Sequence, residues 1–315
     1  MFINATGFYI PEERIDNAHF LELNGLTSEW IEQRTGIRTR SKASPTENIN
    51  TMSLEAVKKA LLALSAYDIH DVDLIISASY SPYDTVGTAA HFVQHTFNIP
   101  ATRAFYLSSA CSSFLNALEI TESFFRTGKA SRALILSADK NSAYWNENDP
   151  QSGHLWGDAA AAFFLSAESS GKHEPQIIDI TTEALGHIGK GPEGVVLRPQ
   201  HGGIGMPEGR DVFIQACTYM PRNLLLLLDR NNLSLNDLSY LITHQANMRI
   251  MQNIAKQLEL PEDKLLHNIE ELGNTGSVSS ALVYAQNVNR FHIGDLIGLT
   301  VFGGGYSAGA CLIRI

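Results

Sequence analysis

Three side chains suited to acyl chemistry stand where apolar segments give way to small or polar residues. Cys111 lies in "FYLSSACSSFLNAL", His244 in "YLITHQANMRI" and Asn274 in "LGNTGSVSSAL". A thiol can carry an acyl group as a covalent intermediate, and a neutral imidazole and an amide can each donate a hydrogen bond to an oxygen that gains negative charge. A fourth element, "FGGGYSAG", follows an apolar run. Gly303, Gly304 and Gly305 let backbone N–H groups approach a ligand closely, as an oxyanion hole requires. As a phosphate loop it is weak, because no Gly-Lys-Ser/Thr follows. Each residue also has a plainer reading: Cys111 as a buried core thiol, Asn274 as a turn residue or helix cap. Their shared placement at strand ends favours chemistry.

The elements that must hold these groups can be read from the same sequence. "DLIISASYS" (73–81) and "RALILSAD" (132–139) read as strands flanking helix-like "TAAHFVQHTF" (88–97) and the cysteine segment. In the second half "YLITHQAN" (240–247), helix-like "RIMQNIAKQLEL", the asparagine segment and "DLIGLTVFGGG" (295–305) follow in the same order. Each half closes with an apolar strand, "AAAAFFLSA" and "GACLIRI". The alternation predicts an α/β fold of parallel sheets covered by helices, with a half at 1–170 carrying the cysteine and a half at 171–315 carrying histidine and asparagine. In such sheets ligands collect at the carboxyl ends of strands, beside helix N-termini. A helix opening at Cys111 favours the thiolate.

At 315 residues, 44% hydrophobic and 18% charged, the chain has the composition of a globular enzyme. Three cysteines without metal-ligand spacing point to a reducing compartment, by default the cytoplasm, and to no metal site. "MFINATGFYIPEERI" reads as a strand into a turn, not a signal peptide, and no apolar run reaches membrane-spanning length. A net charge of −10 argues against nucleic-acid binding and requires a local basic patch for any acidic partner.

The motifs "EWIEQRTGIRTR" (29–40), "SACSSFLNAL" (109–118), "GDAAAAFFL" (157–165), "HQANMRI" (244–250), "GNTGSVSSAL" (273–282) and "FGGGYSAGA" (302–310) together resemble the β-ketoacyl-acyl-carrier-protein synthase III family, nearly end to end. The resemblance implies a thiolase-like fold, two pseudo-repeated halves in a five-layer αβαβα arrangement, and a cytoplasmic homodimer. It implies Cys111 as the nucleophile, with the Cys111 and Gly304 N–H groups as oxyanion hole and His244 and Asn274 assisting decarboxylation of a malonyl-carrier-protein thioester. It requires no cofactor beyond coenzyme A or phosphopantetheine thioesters as substrates. Trp30, Arg34 and Asn247 correspond to pantetheine- and nucleotide-binding positions, Val86 to the position where the acyl pocket meets the dimer partner, and Arg249, Lys256 and Arg210 to a patch for acyl carrier protein.

The departures concern substrate. Val86 replaces a bulky phenylalanine, "NENDPQSGHLWGD" lacks the second adenine-stacking arginine, and the glycine motif has Ser307 and Ala308 in place of its tryptophan. They suggest a specialised ketosynthase of the dialkylresorcinol, aryl-polyene or quinolone type, or an acyltransferase on the same fold. The Gly/Pro-rich segment 186–211 is expected to cover the mouth of the tunnel. A cysteine hydrolase would use the same three residue types, but no peptidase signature surrounds Cys111; a non-catalytic relative would not be expected to keep all three.

Overall fold

The computed structural model describes residues 1–171 and 173–315. In chain order its strands are β1 (Phe2–Tyr9), β2 (Glu13–Asp16), β3 (Thr39–Lys42), β4 (Leu74–Ala78), β5 (Arg103–Leu107), β6 (Arg132–Lys140) and β7 (Asp158–Ser166). They continue with β8 (Gln176–Ala184), β9 (Val196–Arg198), β10 (Gly203–Gly205), β11 (Tyr240–Thr243), β12 (Leu265–Leu266), β13 (Leu296–Gly303) and β14 (Ser307–Arg314). The helices are α1 (His19–Asn24), α2 (Ser28–Thr35), α3 (Ile49–Leu61), α4 (Ala89–Thr96), α5 (Ser113–Arg126), α6 (Gly209–Arg230), α7 (Met248–Gln257), α8 (Ile269–Leu272) and α9 (Ser279–Asn287).

The main sheet runs β12-β11-β13-β14-β8-β1-β7-β6-β4-β5. Read inward from either end the order repeats, β5-β4-β6-β7-β1 matching β12-β11-β13-β14-β8, and the two sets join around the Phe2–Gln176 pair, where Ile3 N–H donates to Pro175 and Ile177 N–H to Met1. Side-chain alternation then builds the layers. Leu74, Ile76 and Ala78 of β4 point into a central core with Phe114, Leu115 and Leu118 of α5 and Leu282 and Tyr284 of α9, while Ile75 points outward to Met52, Ala56 and Val93 of α3 and α4. Across the molecule Ile297 and Leu299 of β13 face the centre, and Leu296 faces Leu224 of α6 and Ile254 of α7. The result is helix, sheet, helix, sheet, helix, the thiolase-like architecture. Because both sheet faces are covered, β7 and β13 are buried throughout and read as continuous apolar runs.

The expectation of wholly parallel sheets needs correction. β5, β4 and β6 are parallel, as are β12, β11 and β13, but β7 and β14 run antiparallel to β6 and β13. β13 turns directly into β14 through Gly304, Gly305 and Tyr306, too short a link for a crossover helix. The Gly/Pro-rich segment 186–211 also contains structure, the antiparallel ladder of β9 and β10.

No described helix is long and apolar enough to cross a membrane.

Candidate active site

The two central helices bring the site together. Cys111 immediately precedes the first turn of α5, and Asn274 precedes α9 through the short turn Gly276–Val278, so pseudo-equivalent positions of the two halves face one another. His244 follows β11, and Gly303 and Gly304 end and follow β13. Cys111, His244, Asn274, Gly303 and Gly304 line one narrow cavity of ≈ 20 Å³ with Trp156, Val195, Met206 and Phe302.

Cys111 is held tightly. Ala110 before it adopts a left-handed φ of 49°, a conformation costly for a residue with a Cβ, which turns the chain sharply from β5 into α5. A Cβ on Gly303 would stand 2.6 Å from the Cys111 nitrogen, so glycine is the residue that lets β13 pass. The backbone N–H groups of Gly304 and of Cys111 itself both reach the sulfur. They do not make it a resting thiolate, which corrects the expectation from the helix dipole. Burial, and then the carboxylate of Asp139, push the Cys111 thiol up to about 12 against the pull of those two donors.

Asn274 has its carbonyl oxygen committed. The N–H of Gly276 donates to Asn274 Oδ1 at 3.0 Å, and that assignment of oxygen leaves the amide NH2 as the free end. The Asn274 backbone is fixed by bonds to Leu155 and Gly157. Burial lowers the His244 pKa to about 4, so the ring is neutral at physiological pH. Its Nδ1 lies 2.7 Å from Ser279 Oγ. Two neutral side chains and two backbone N–H groups thus surround a buried thiol, an arrangement that stabilises oxyanions and enolates better than it activates water.

Behind these groups lies Asp139, which the sequence reading missed. It is the penultimate residue of β6 and accepts from the Ser79, Ser81 and Ser277 hydroxyls and from the backbone N–H groups of Tyr80, Ser81 and Ser277. This buried carboxylate joins the loop after β4 to the turn that carries Asn274. Its signal was available as a charged residue at the carboxyl end of an apolar strand. Trp156, also missed, is buried where the narrow cavity meets a larger one of ≈ 560 Å³. The larger cavity shares Cys111, Trp156, Val195 and Gly304 with the first and adds Tyr80, Val196, Leu197, Arg198 and Tyr306. Segment 186–211 therefore lines both cavities, Met206 the narrow one, Val196–Arg198 the larger one and Val195 both.

The remaining expected positions lie outside the two cavities. Arg34 stacks its guanidinium 4.6 Å over the Trp30 ring, whose indole also meets the His154 ring edge-on at 5.7 Å. Asn247 caps α7 by accepting from the Arg249 N–H at 2.8 Å, while its neighbour Ala246 lines the narrow cavity. Val86 is 84% exposed on the loop after β4 and lines neither cavity of its own chain. Arg249, Lys256 and Arg210 are exposed on α7 and at the start of α6; Arg249 also donates to the Gln33 carbonyl at 2.8 and 3.1 Å, tying α7 to α2. Among the described residues no cluster of three metal-ligating side chains occurs.

Two family models match, 3-oxoacyl-[acyl-carrier-protein (ACP)] synthase III over residues 105–186 and its C-terminal region over residues 228–315. The chain is 33% identical to the β-ketoacyl-[acyl-carrier-protein] synthase III of Pasteurella multocida, across 99% of this chain and 98% of the relative. It is also 33% identical to β-ketoacyl-[acyl-carrier-protein] synthase III 1 of Bacillus anthracis, with the same coverage. Among solved structures, the synthase III of Aquifex aeolicus superposes with a TM-score of 0.91 at 32% identity, covering 100% of this chain and 99% of that one. The Thermus thermophilus enzyme gives 0.92 at 27% identity, again covering 100% and 99%.

Proposed function

The chain belongs to the 3-oxoacyl-[acyl-carrier-protein] synthase III family, a condensing acyltransferase of fatty-acid biosynthesis, and from that premise we propose that Cys111, His244 and Asn274 carry the reaction. Cys111 attacks an acyl thioester; the bond from its sulfur to the acyl carbon forms, the donor's carbon–sulfur bond breaks, and the cysteine proton ends on the departing thiol. The N–H groups of Cys111 and Gly304 hold the carbonyl oxygen as it becomes anionic. A malonyl thioester then enters, and His244 and Asn274 donate to its thioester carbonyl. The carboxylate leaves as carbon dioxide, its bonding pair becomes an enolate, and the enolate carbon attacks the acyl-cysteine. The carbon–sulfur bond breaks and the sulfur takes up a proton.

The observation that carries this reading is the single narrow cavity lined by thiol, imidazole, amide and the glycine-rich turn. A cavity of ≈ 20 Å³ has room for about one water molecule. The thioester arm therefore requires it to widen, and Met206, unbranched and only half-buried where Met220 is fully buried, is the lining methionine better able to yield. No metal or redox cofactor enters this reading; coenzyme A or phosphopantetheine thioesters are the substrates, and Trp30, Arg34 and Asn247 remain the proposed contacts of the arm and its nucleotide. The acidic carrier protein docks on Arg249, Lys256 and Arg210. The protein acts as a cytoplasmic homodimer of chains with halves at 1–170 and 171–315. β5 ends the sheet with one edge unpaired, and Tyr83 and Val86 stand exposed on the nearby loop, which supports pairing there and Val86 reaching the partner's acyl pocket.

The ≈ 560 Å³ cavity on the far side of Cys111 favours a second, finer reading, a specialised member that loads acyl groups longer than acetyl. Intact-protein mass spectrometry after incubation with acetyl-, octanoyl- and 3-oxoacyl-thioesters, on coenzyme A and on carrier protein, tests both. Cys111→Ala abolishes the acyl adduct; Asn274→Ala keeps it and loses condensation by about a hundredfold or more. Retained condensation in Asn274→Ala removes the decarboxylation role, and selective acetylation from coenzyme A removes the specialised reading.

A further inference from the structure

His244 can serve the enolate in only one of its two neutral forms. A neutral imidazole carries one proton, and the nitrogen without it offers a lone pair, which repels a developing oxyanion. Which form is present depends on what lies at the other nitrogen.

At Nδ1 lies Ser279, the first residue of α9, 2.7 Å away. Both side chains are buried, His244 at 3% and Ser279 at 1% exposure. The Ser279 oxygen also receives the backbone N–H of Gln245 at 3.3 Å, which occupies one lone pair and turns the hydroxyl proton away. The hydroxyl has no further hydrogen-bond partner among the described residues, so Nδ1 is the acceptor in reach of its proton. The His244 backbone is anchored separately, its N–H donating to Thr300 at 2.9 Å, which fixes the ring's root while Ser279 fixes its far side.

We propose that Ser279 is a positioning residue that holds His244 as the Nε2–H tautomer, so that the ring presents a donor, not a lone pair, to the thioester carbonyl of the decarboxylating substrate. This rests on His244 being the decarboxylation donor. The burial of the ring keeps it uncharged, and the hydroxyl then decides between the two uncharged forms. Ser279 lines neither cavity; it acts through the histidine.

Heteronuclear NMR of the full chain carrying isotope-labelled histidine reads the His244 tautomer directly, without turnover. Nε2–H is expected in the wild type, and an Nδ1–H ring there overturns the proposal. Ser279→Ala is expected to give a mixture of tautomers and to lower the kcat of condensation about tenfold to a hundredfold, with KM and Cys111 self-acylation unchanged. Ser279→Thr, which restores the hydroxyl, is expected to recover the tautomer and most of the rate. An unchanged tautomer in Ser279→Ala, or an equal loss of self-acylation and condensation, assigns Ser279 a merely structural part. His244→Ala tests the parent reading separately: loss of condensation with retained acylation supports it, whereas retained condensation removes the donor role even where the ring is found Nε2-protonated.

Discussion

At Cys111 opposing influences act on one sulfur. Two backbone N–H groups favour the anion, while burial and the Asp139 carboxylate favour the neutral thiol and win, raising the pKa to about 12. The sign follows: a raised thiol pKa means that the reactive thiolate is scarce at neutral pH and grows with each added unit of pH. Alkylation of Cys111 by iodoacetamide is expected to accelerate about tenfold per pH unit from pH 7 towards 10 without levelling. A plateau near pH 8 indicates a thiol that burial does not govern. In the proposed reaction the same donors that fail to ionise the resting sulfur would hold the carbonyl oxygen of the acyl-enzyme, where charge develops only during reaction. The thiol was legible in sequence because a cysteine between small residues at a strand end is unusual. Asp139 was not singled out, because its importance lies in six donors that come from distant parts of the chain.

At the scale of elements, the turn from Gly273 into α9 is tightly constrained. Gly276 adopts a φ of +71°, and a Cβ there would stand 2.5 Å from the Tyr80 hydroxyl and 2.6 Å from the Asp139 carboxylate. Gly276→Ala therefore combines left-handed strain with a clash against groups that cannot yield cheaply. It is expected to cost about 2 kcal/mol or more of stability, seen as a lower denaturant midpoint, and to displace Asn274, whose oxygen the Gly276 N–H holds. Wild-type stability with full condensation in this variant removes the claim that the turn positions the amide. The sequence reading saw a glycine-flanked turn but not which glycine is obligatory, since that depends on Tyr80 and Asp139 arriving from the other half. The hairpin of β9 and β10 escaped for a related reason: its strands are three residues each, and Gly- and Pro-rich flanks dominate the local signal.

For the whole molecule, a net charge of −10 means that the proposed docking of an acidic carrier protein needs a local basic patch. Lys256 and Arg249 stand seven positions apart on α7, about two helical turns, so they share one face. Arg249 also binds the Gln33 carbonyl, so changing it disturbs the packing of α2 on α7 as well as charge. Lys256→Glu is the cleaner probe. It is expected to raise KM for carrier-protein thioesters severalfold, to flatten the dependence of that KM on salt, and to leave turnover of coenzyme A thioesters unchanged. Equal effects on both donor classes place the docking face elsewhere.

What the sequence by itself determined is the order of elements and the residues that end them. Apolar runs of strand length, the helical spacing between them and the glycine-rich turns are local signals, and they suffice for two similar halves with Cys111, His244 and Gly304 after strand ends; the expectation that Asn274 also follows a strand fails, because α8 stands between it and β12. The tertiary structure decided what each of those ends faces. The direction of β7 and β14, the meeting of Cys111 with Gly303, the burial that keeps thiol and imidazole uncharged and the seating of Ser279 against His244 all arise from contacts between segments far apart in the chain. Proton affinity and hydrogen-bond direction are set by those neighbours and by the exclusion of water, and neither is written in a residue's own type.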